Sequence, residues 1–227
     1  KVLNDKKGTT RVKAAELLQT LGIPKQEVIP TLVSVLSDPE VQARKDSLYF
    51  LTMMRLKPVP KKVATPVIGL LKDSNEEVRW QAAQFLGNSY IPIPEAKDSL
   101  IDSLDDPSNT VIGNAARALG GYGKSAKQVV PKLIDILKTN PDESTRENVC
   151  GALGRIGAPK EKIAHVLVEV LLSDPSSRAR YGAATALRDL KYKDKAVMGA
   201  LKNVSIQDTD TSVRTVSSIT YKQLGGK

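Results

Sequence analysis

The feature that most constrains this chain is a repeat of about 34 residues that runs through all of it. In the segment from Val78 to Gly87, small residues stand three and four places after Arg79, and a leucine stands seven places after it. The pattern recurs from Arg11, Arg44, Ile112, Arg146, Arg180 and Arg214, with Leu48 and Val149 in small-residue places and Tyr221 in the leucine place, so the anchors step by 33, 35, 33, 34, 34 and 34. Six residues before each anchor stands a short polar acceptor: Asp5, Asp38, Asp73, Asp106, Asn140, Asp174 and Asp208. A fixed period of this length marks an array of stacked units, none of which can bury its apolar face alone.

Each period holds two helices. The second, B, contains the anchor. Offsets 0, 3, 4 and 7 share one face at 3.6 residues per turn, and that face is the buried one. The small residues at offsets 3 and 4 let neighbouring helices approach closely. The preceding helix, A, carries a second apolar stripe, as in Val28, Leu32, Val35 and Leu36 or Val129, Leu133, Ile136 and Leu137. Pro30, Pro66 and Pro131 fall near the start or middle of A helices and predict bends there. Asp-Pro or Asn-Pro opens the turn into B, which suits a helix start. Gly87, Gly120, Gly154 and Gly157 fall where C-caps are expected. Hairpin dipeptides and sustained period-2 stretches are absent. Aromatic residues are only 4%, which favours close helix packing over a β-sandwich.

The expected fold is therefore an all-α superhelix of about six to seven repeats, with seven B helices and six complete A helices. Val2-Leu3 read as the tail of a seventh A helix. The expectation is one repeat domain over 1–227 that is a fragment of a longer chain, its N-terminal A helix truncated. Regular stacking predicts a monomeric rod.

Val-Val-Pro-Lys-Leu-Ile-Asp-Ile-Leu at 129–137, the run from Asp73 to Val78-Arg79, and Ala-Leu-Gly-Arg-Ile-Gly at 152–157 give the chain its resemblance. It is similar to HEAT-repeat proteins, specifically to the HEAT-like repeats first described in phycobilisome lyases, along essentially its whole length. The resemblance implies an α-α solenoid with a ladder between repeats, here Asp38, Arg44, Asp73, Arg79, Asp174, Arg180, Asp208 and Arg214. The same arginines read functionally as an anion-binding row. Ile112 interrupts the arginine column, so that repeat is expected to lack its link. Fold likeness does not fix function, because this repeat serves unrelated tasks.

The chemistry available is narrow. Cys150 is the only cysteine and occupies the small-residue column, where it acts as a small hydrophobe. It excludes an internal disulfide framework and suits a reducing, cytoplasmic setting without requiring it. His165 is the only histidine, so neither a Ser/His/Asp site nor a His/Cys zinc site is expected. HEAT-repeat deoxyhypusine hydroxylases hold iron through His-Glu pairs; this chain has none. Gly120-Gly121-Tyr122-Gly123 follows a helix rather than a strand and reads as a cap and loop, not a phosphate loop. No catalytic residue, metal or cofactor is assigned. No run of 18 apolar residues predicts a membrane span, and the first residues are no signal peptide.

Binding residues are sought on the B-helix face opposite the core stripe, at offsets 1, 2 and 5. The resemblance implies that B helices line the concave side of the solenoid. That face is expected to display Trp80, Tyr181, Tyr49, Arg117, Gln81, Gln84, Asn114 and Asn148. Trp, Tyr and Arg dominate binding hot spots, whereas the alternative for Trp80 and Tyr49 is packing against a neighbouring helix. The net charge is +9. Turns from A to B are acidic, and turns from B to A are basic at Lys61, Lys62, Lys124, Lys127, Arg155, Lys160, Lys162, Lys193 and Lys195. Acids suit helix N-termini, but that effect does not explain lysines at the start of A helices. Three functions follow: a scaffold for a protein or peptide on the concave face, nucleic-acid or polyanion binding on the basic rim, and a bilin lyase-like subunit by resemblance alone.

Overall fold

The computed structural model describes residues 3, 5–88 and 92–226. Val2 lies outside them. Thirteen α-helices and no strands occur among the described residues. The B helices are α1 (Gly8–Thr20), α3 (Val41–Met53), α5 (Glu76–Asn88), α7 (Asn109–Gly120), α9 (Glu143–Ile156), α11 (Ser177–Leu190) and α13 (Thr211–Gln223). The A helices are α2 (Lys25–Val35), α4 (Lys61–Gly69), α6 (Lys97–Asp102), α8 (Val130–Thr139), α10 (Lys160–Ser173) and α12 (Lys195–Gln207).

The chain divides into two compact units, residues 1–111 and 112–227. In the first, α1 packs on α3 and α3 on α5, while α2 packs on α4. In the second, α9, α11 and α13 pack in succession, and α10 packs on α12. Each unit is thus a B layer backed by an A layer. The offset pattern fixes which residues fill the space between them. Ser47, Leu48 and Leu51, then Ala115, Ala116 and Leu119, then Val149, Cys150 and Leu153, and then Ala183, Ala184 and Leu187 are all fully buried. Serine is tolerated in a small-residue position at Ser47 because its hydroxyl donates to the Leu32 carbonyl at 2.6 Å.

Prolines fall within three of the A helices. Pro66 lies inside α4, a helix of nine residues that tightens into a 3-10 turn at Leu70–Lys72. Pro131 instead sits in the first turn of α8, after a 3-10 segment at Gly123–Val129. There its missing N–H costs nothing, because first-turn amides have no intrahelical partner. Pro30 lies inside α2.

The polar acceptors six before each anchor meet backbone groups of the turn, as expected of them. Asp38, Asp73, Asp106, Asn140, Asp174 and Asp208 each accept the N–H two residues on, at 2.8–2.9 Å. The residue reached is the cap: Asn75, Asp142, Ser176 and Asp210 accept first-turn amides of their helices. Gly87 and Gly154 are not C-caps but lie within α5 and α9. Gly154 is required by contact: a Cβ there would fall 2.8 Å from the Ala186 Cα on α11. Gly157, with φ of 64°, does close α9 in the left-handed conformation.

Five of the six anchor arginines join two repeats, and Arg214 bonds only within its own. Arg180 donates from Nη1 to the Asp174 carbonyl of its own turn at 2.8 Å, and from Nε and Nη2 to the Asp208 carboxylate at 2.8 and 2.9 Å. Arg79 clasps Asp106 and Arg146 clasps Asp174 in the same two-point way. Arg11 meets Asp38, and Arg44 meets Asp73, through Nη2 alone, and the Nε of each is buried without a hydrogen-bond partner. Hydrogen bonds to the carboxylates raise the pKa of Arg79, Arg146 and Arg180, and the Arg180 contact holds Asp208 below the usual carboxylate value. Arg214 donates to the Asp208 carbonyl at 2.7 Å.

Candidate functional site: a two-arginine cleft on the B layer

In the second unit, three successive B helices leave a cleft of about 160 Å³. Its lining is Arg117 from α7, Glu147, Asn148, Gly151 and Arg155 from α9, and Tyr181, Gly182 and Thr185 from α11. The cleft exists because small residues stand where the outer face of a B helix would otherwise carry side chains. A Cβ at Gly120 would fall 2.7 Å from Arg155 Nε, and one at Gly182 would fall 3.1 Å from Glu147 Cγ. The Arg155 guanidinium therefore lies across the backbone of α7, where its Nη2 donates to the Arg117 carbonyl at 3.1 Å.

The electrostatics follow from this crowding. Desolvation lowers the pKa of both arginines, and the positive charge of Arg155 lowers that of Arg117 further. Asp189 acts in the opposite direction on Arg155. Both guanidinium groups stay charged, as arginine does in proteins generally. Glu147, the acid in the wall, is engaged by Arg178 across the α9–α11 contact. Thr185 Oγ1 is buried and makes no protein hydrogen bond.

The cleft unites three of the residues expected on the binding face: Arg117, Asn148 and Tyr181. Tyr181 is 41% exposed. Asn114, one turn away, accepts from Arg117 Nη2 at 3.4 Å. Arg155 was expected in a basic turn, and the structure corrects this. It lies nine residues after the anchor Arg146, so it continues the face of offsets 1 and 5, a periodicity that the sequence already carries.

In the first unit, Tyr49 on α3 is 63% exposed, while Trp80, Gln81 and Gln84 on α5 are half-buried. Gln81 Oε1 is buried without a hydrogen-bond partner. Lys45 and Glu77 pair between α3 and α5, as Arg178 and Glu147 do between α11 and α9.

The rim lysines are all exposed: Lys61 and Lys62 begin α4, Lys160 and Lys162 lie in the first turn of α10, Lys195 begins α12, Lys193 precedes it, and Lys124 and Lys127 lie in the 3-10 segment before α8. His165 Nε2 meets Asp194 Oδ2 at 3.1 Å, and Asp194 caps α12 through the Val197 amide. Burial pushes the Cys150 thiol pKa well above its usual value. Among the described residues, no group of three His, Cys, Asp or Glu side chains is arranged to hold a metal ion, and no helix is long and apolar enough to cross a membrane.

The comparisons bear on the fold. A designed armadillo repeat protein, solved in complex with the peptide (KR)4, is 18% identical; the match covers 86% of this chain and 99% of that one, with a TM-score of 0.65. The complex of CpcE and CpcF of phycocyanin lyase from Nostoc sp. PCC7120 matches at 19% identity over 98% of this chain and 92% of that one, with a TM-score of 0.59. An engineered protein is 20% identical over 86% and 96%, with a TM-score of 0.61. No curated protein matches in sequence. The family profile described as HEAT repeats matches residues 57–120, 98–188 and 130–221, which together span more than half of the chain. With its helix pairs, its period and its interrepeat ion pairs, the chain belongs to the HEAT-repeat family.

Proposed function

We propose that this chain is a protein-binding scaffold, not an enzyme, and that it takes a segment of a partner polypeptide along the outer face of its B helices. The observation that carries the reading is the cleft of the second unit. A solvent-accessible recess framed by a tyrosine, two arginines and an asparagine is the composition of an anchoring pocket, and it holds no pairing of nucleophile and base. The similar armadillo protein carries a peptide in its solved complex, which supports the reading by analogy of fold. The likeness to phycocyanin lyase supplies no residue of this chain with a catalytic role, so the lyase reading has no chemistry behind it.

The test is affinity capture from the source lysate with the native chain and with Tyr181→Ala and Tyr49→Ala, each after nuclease treatment. The expected result is a protein retained by the native chain and reduced about tenfold by Tyr181→Ala. Retention that neither substitution changes would overturn the face.

A second reading, polyanion binding on the basic rim, is supported by one observation. Lys61, Lys62, Lys160 and Lys162 are exposed in first turns, where the helix dipole disfavours cations by a few tenths of a kcal/mol up to about 1. Captured material that disappears with nuclease, with affinity falling steeply in salt, would favour it over the scaffold.

A further inference from the structure

We infer that the cleft between Arg117 and Arg155 takes the carboxylate of an aspartate or glutamate side chain of the bound polypeptide, an inference that rests on the scaffold reading above. Arg117 on α7 and Arg155 on α9 both line the cleft, and the exposed Arg155 side chain is held by its bond to the Arg117 carbonyl and by the close backbone at Gly120. A planar guanidinium held in one orientation is matched to a carboxylate, to which it donates in pairs. Fixing the fork beforehand removes ordering entropy that binding would otherwise cost.

The local charge balance favours an incoming anion. Arg155 makes no ion pair among the described residues; Asp189, the acid that acts on it, faces Arg188 at 3.8 Å, and Glu147, the acid in the wall, is committed to Arg178. Desolvation and the charge of Arg155 both weigh on Arg117, and an anion in the cleft offsets that repulsion. Asn148 on α9 and Tyr181 and Thr185 on α11 also line the cleft, and the buried Thr185 hydroxyl has no partner within the protein.

Size and charge select the ligand. At about 160 Å³ the cleft is smaller than the roughly 300–1,000 Å³ of small-molecule sites. It admits the head of one side chain, not a cofactor. A carboxylate, planar and singly charged, matches the two guanidinium groups of the cleft. A nucleic-acid backbone would need a continuing row of cations, whereas the wall of this cleft also carries Glu147, paired with Arg178.

The experiment selects a phage library of random dodecapeptides on the whole chain and measures the winners by fluorescence anisotropy. Peptides should carry Asp or Glu at one fixed position. Changing that residue to Asn or Gln, or making Arg117→Gln or Arg155→Gln in the protein, should weaken binding about tenfold or more. Arg155→Lys should weaken it nearly as much, because an ammonium keeps the charge but loses the fork. Helical circular dichroism and the melting temperature establish that each variant is folded. Peptides without an acidic position that still depend on Tyr181 would overturn the carboxylate site and leave the scaffold standing. Selection of no peptide that depends on Tyr181, Arg117 or Arg155 would overturn both. Tighter, Arg155-dependent binding of a phosphorylated oligothymidylate would replace the carboxylate with phosphate.

Discussion

Ile112 stands where an arginine would reach 28 residues forward to Asn140, so the rung without a cation is also the rung without an anion. In the other rungs an arginine meets an aspartate 27 to 29 residues on. Asn140 retains the other half of the job and accepts the Asp142 amide at 2.9 Å. The acceptor at the turn is therefore needed in every repeat, whereas its charge is needed only where an arginine faces it.

A thermodynamic cycle tests this pairing. Asn140→Asp alone should lower stability by about 1 kcal/mol, because it adds a charge with no guanidinium opposite. Ile112→Arg together with Asn140→Asp should recover that loss, with a coupling of about 1–3 kcal/mol. Urea titrations of the four chains measure it; additive effects would mean that the two positions do not face each other.

The rungs should differ in strength. Asp208→Asn removes a charge held at two points by Arg180, and should cost about 2–3 kcal/mol, less than a fully buried pair because Arg180 keeps some solvent contact. Asp73→Asn removes a one-point contact whose arginine already leaves its Nε without a partner, and should cost less. Chemical denaturation of both variants gives the comparison directly.

The same pair makes stability depend on acid. The hydrogen bond from Arg180 holds Asp208 below its ordinary value of 3.8, and the Asp210 amide adds to the effect. A carboxyl depressed in the folded state stabilises fully above its unfolded value, and that contribution fades as pH falls through the folded value. Stability should therefore be insensitive to this group from neutrality down to about 4 and should fall below that. In Asp208→Asn the acid-side decline should be shallower, as read from urea midpoints against pH.

Gly154 within α9 and Gly157 at its C-cap should respond differently to alanine. At Gly154 the new Cβ meets the backbone of α11 at 2.8 Å. Overpacking costs typically 1–3 kcal/mol, which exceeds the gain of about 1 kcal/mol in helix propensity, so a net loss is expected. At Gly157 the cost arises from the positive φ, about 1 kcal/mol. The two can be separated because only Gly154→Ala should be partly relieved by Ala186→Gly.

Cys150 offers a probe of opening. It is fully buried, and desolvation raises its thiol pKa. At neutral pH a thiol-reactive dye should label the folded chain at least about a thousandfold more slowly than the chain in urea, because reaction must wait for local unfolding. Rapid native labelling would place the thiol at the surface.

The sequence by itself determined the all-α repeat, the number of A and B helices and the identity of the buried columns. These follow from a fixed period and from the helical spacing of small and apolar residues, both of which are properties of the chain. It also placed Arg117, Asn148 and Tyr181 on one face, because offsets 1, 2 and 5 share a side of a helix. Only the tertiary structure decided that these three border a single cleft, that Arg155 folds back over Gly120 to join them, and that Gly154 serves helix packing rather than a cap. Each of these depends on the register between neighbouring helices and on how closely two backbones approach. That register is set by side chains from different repeats meeting in space, which periodicity along the chain does not encode.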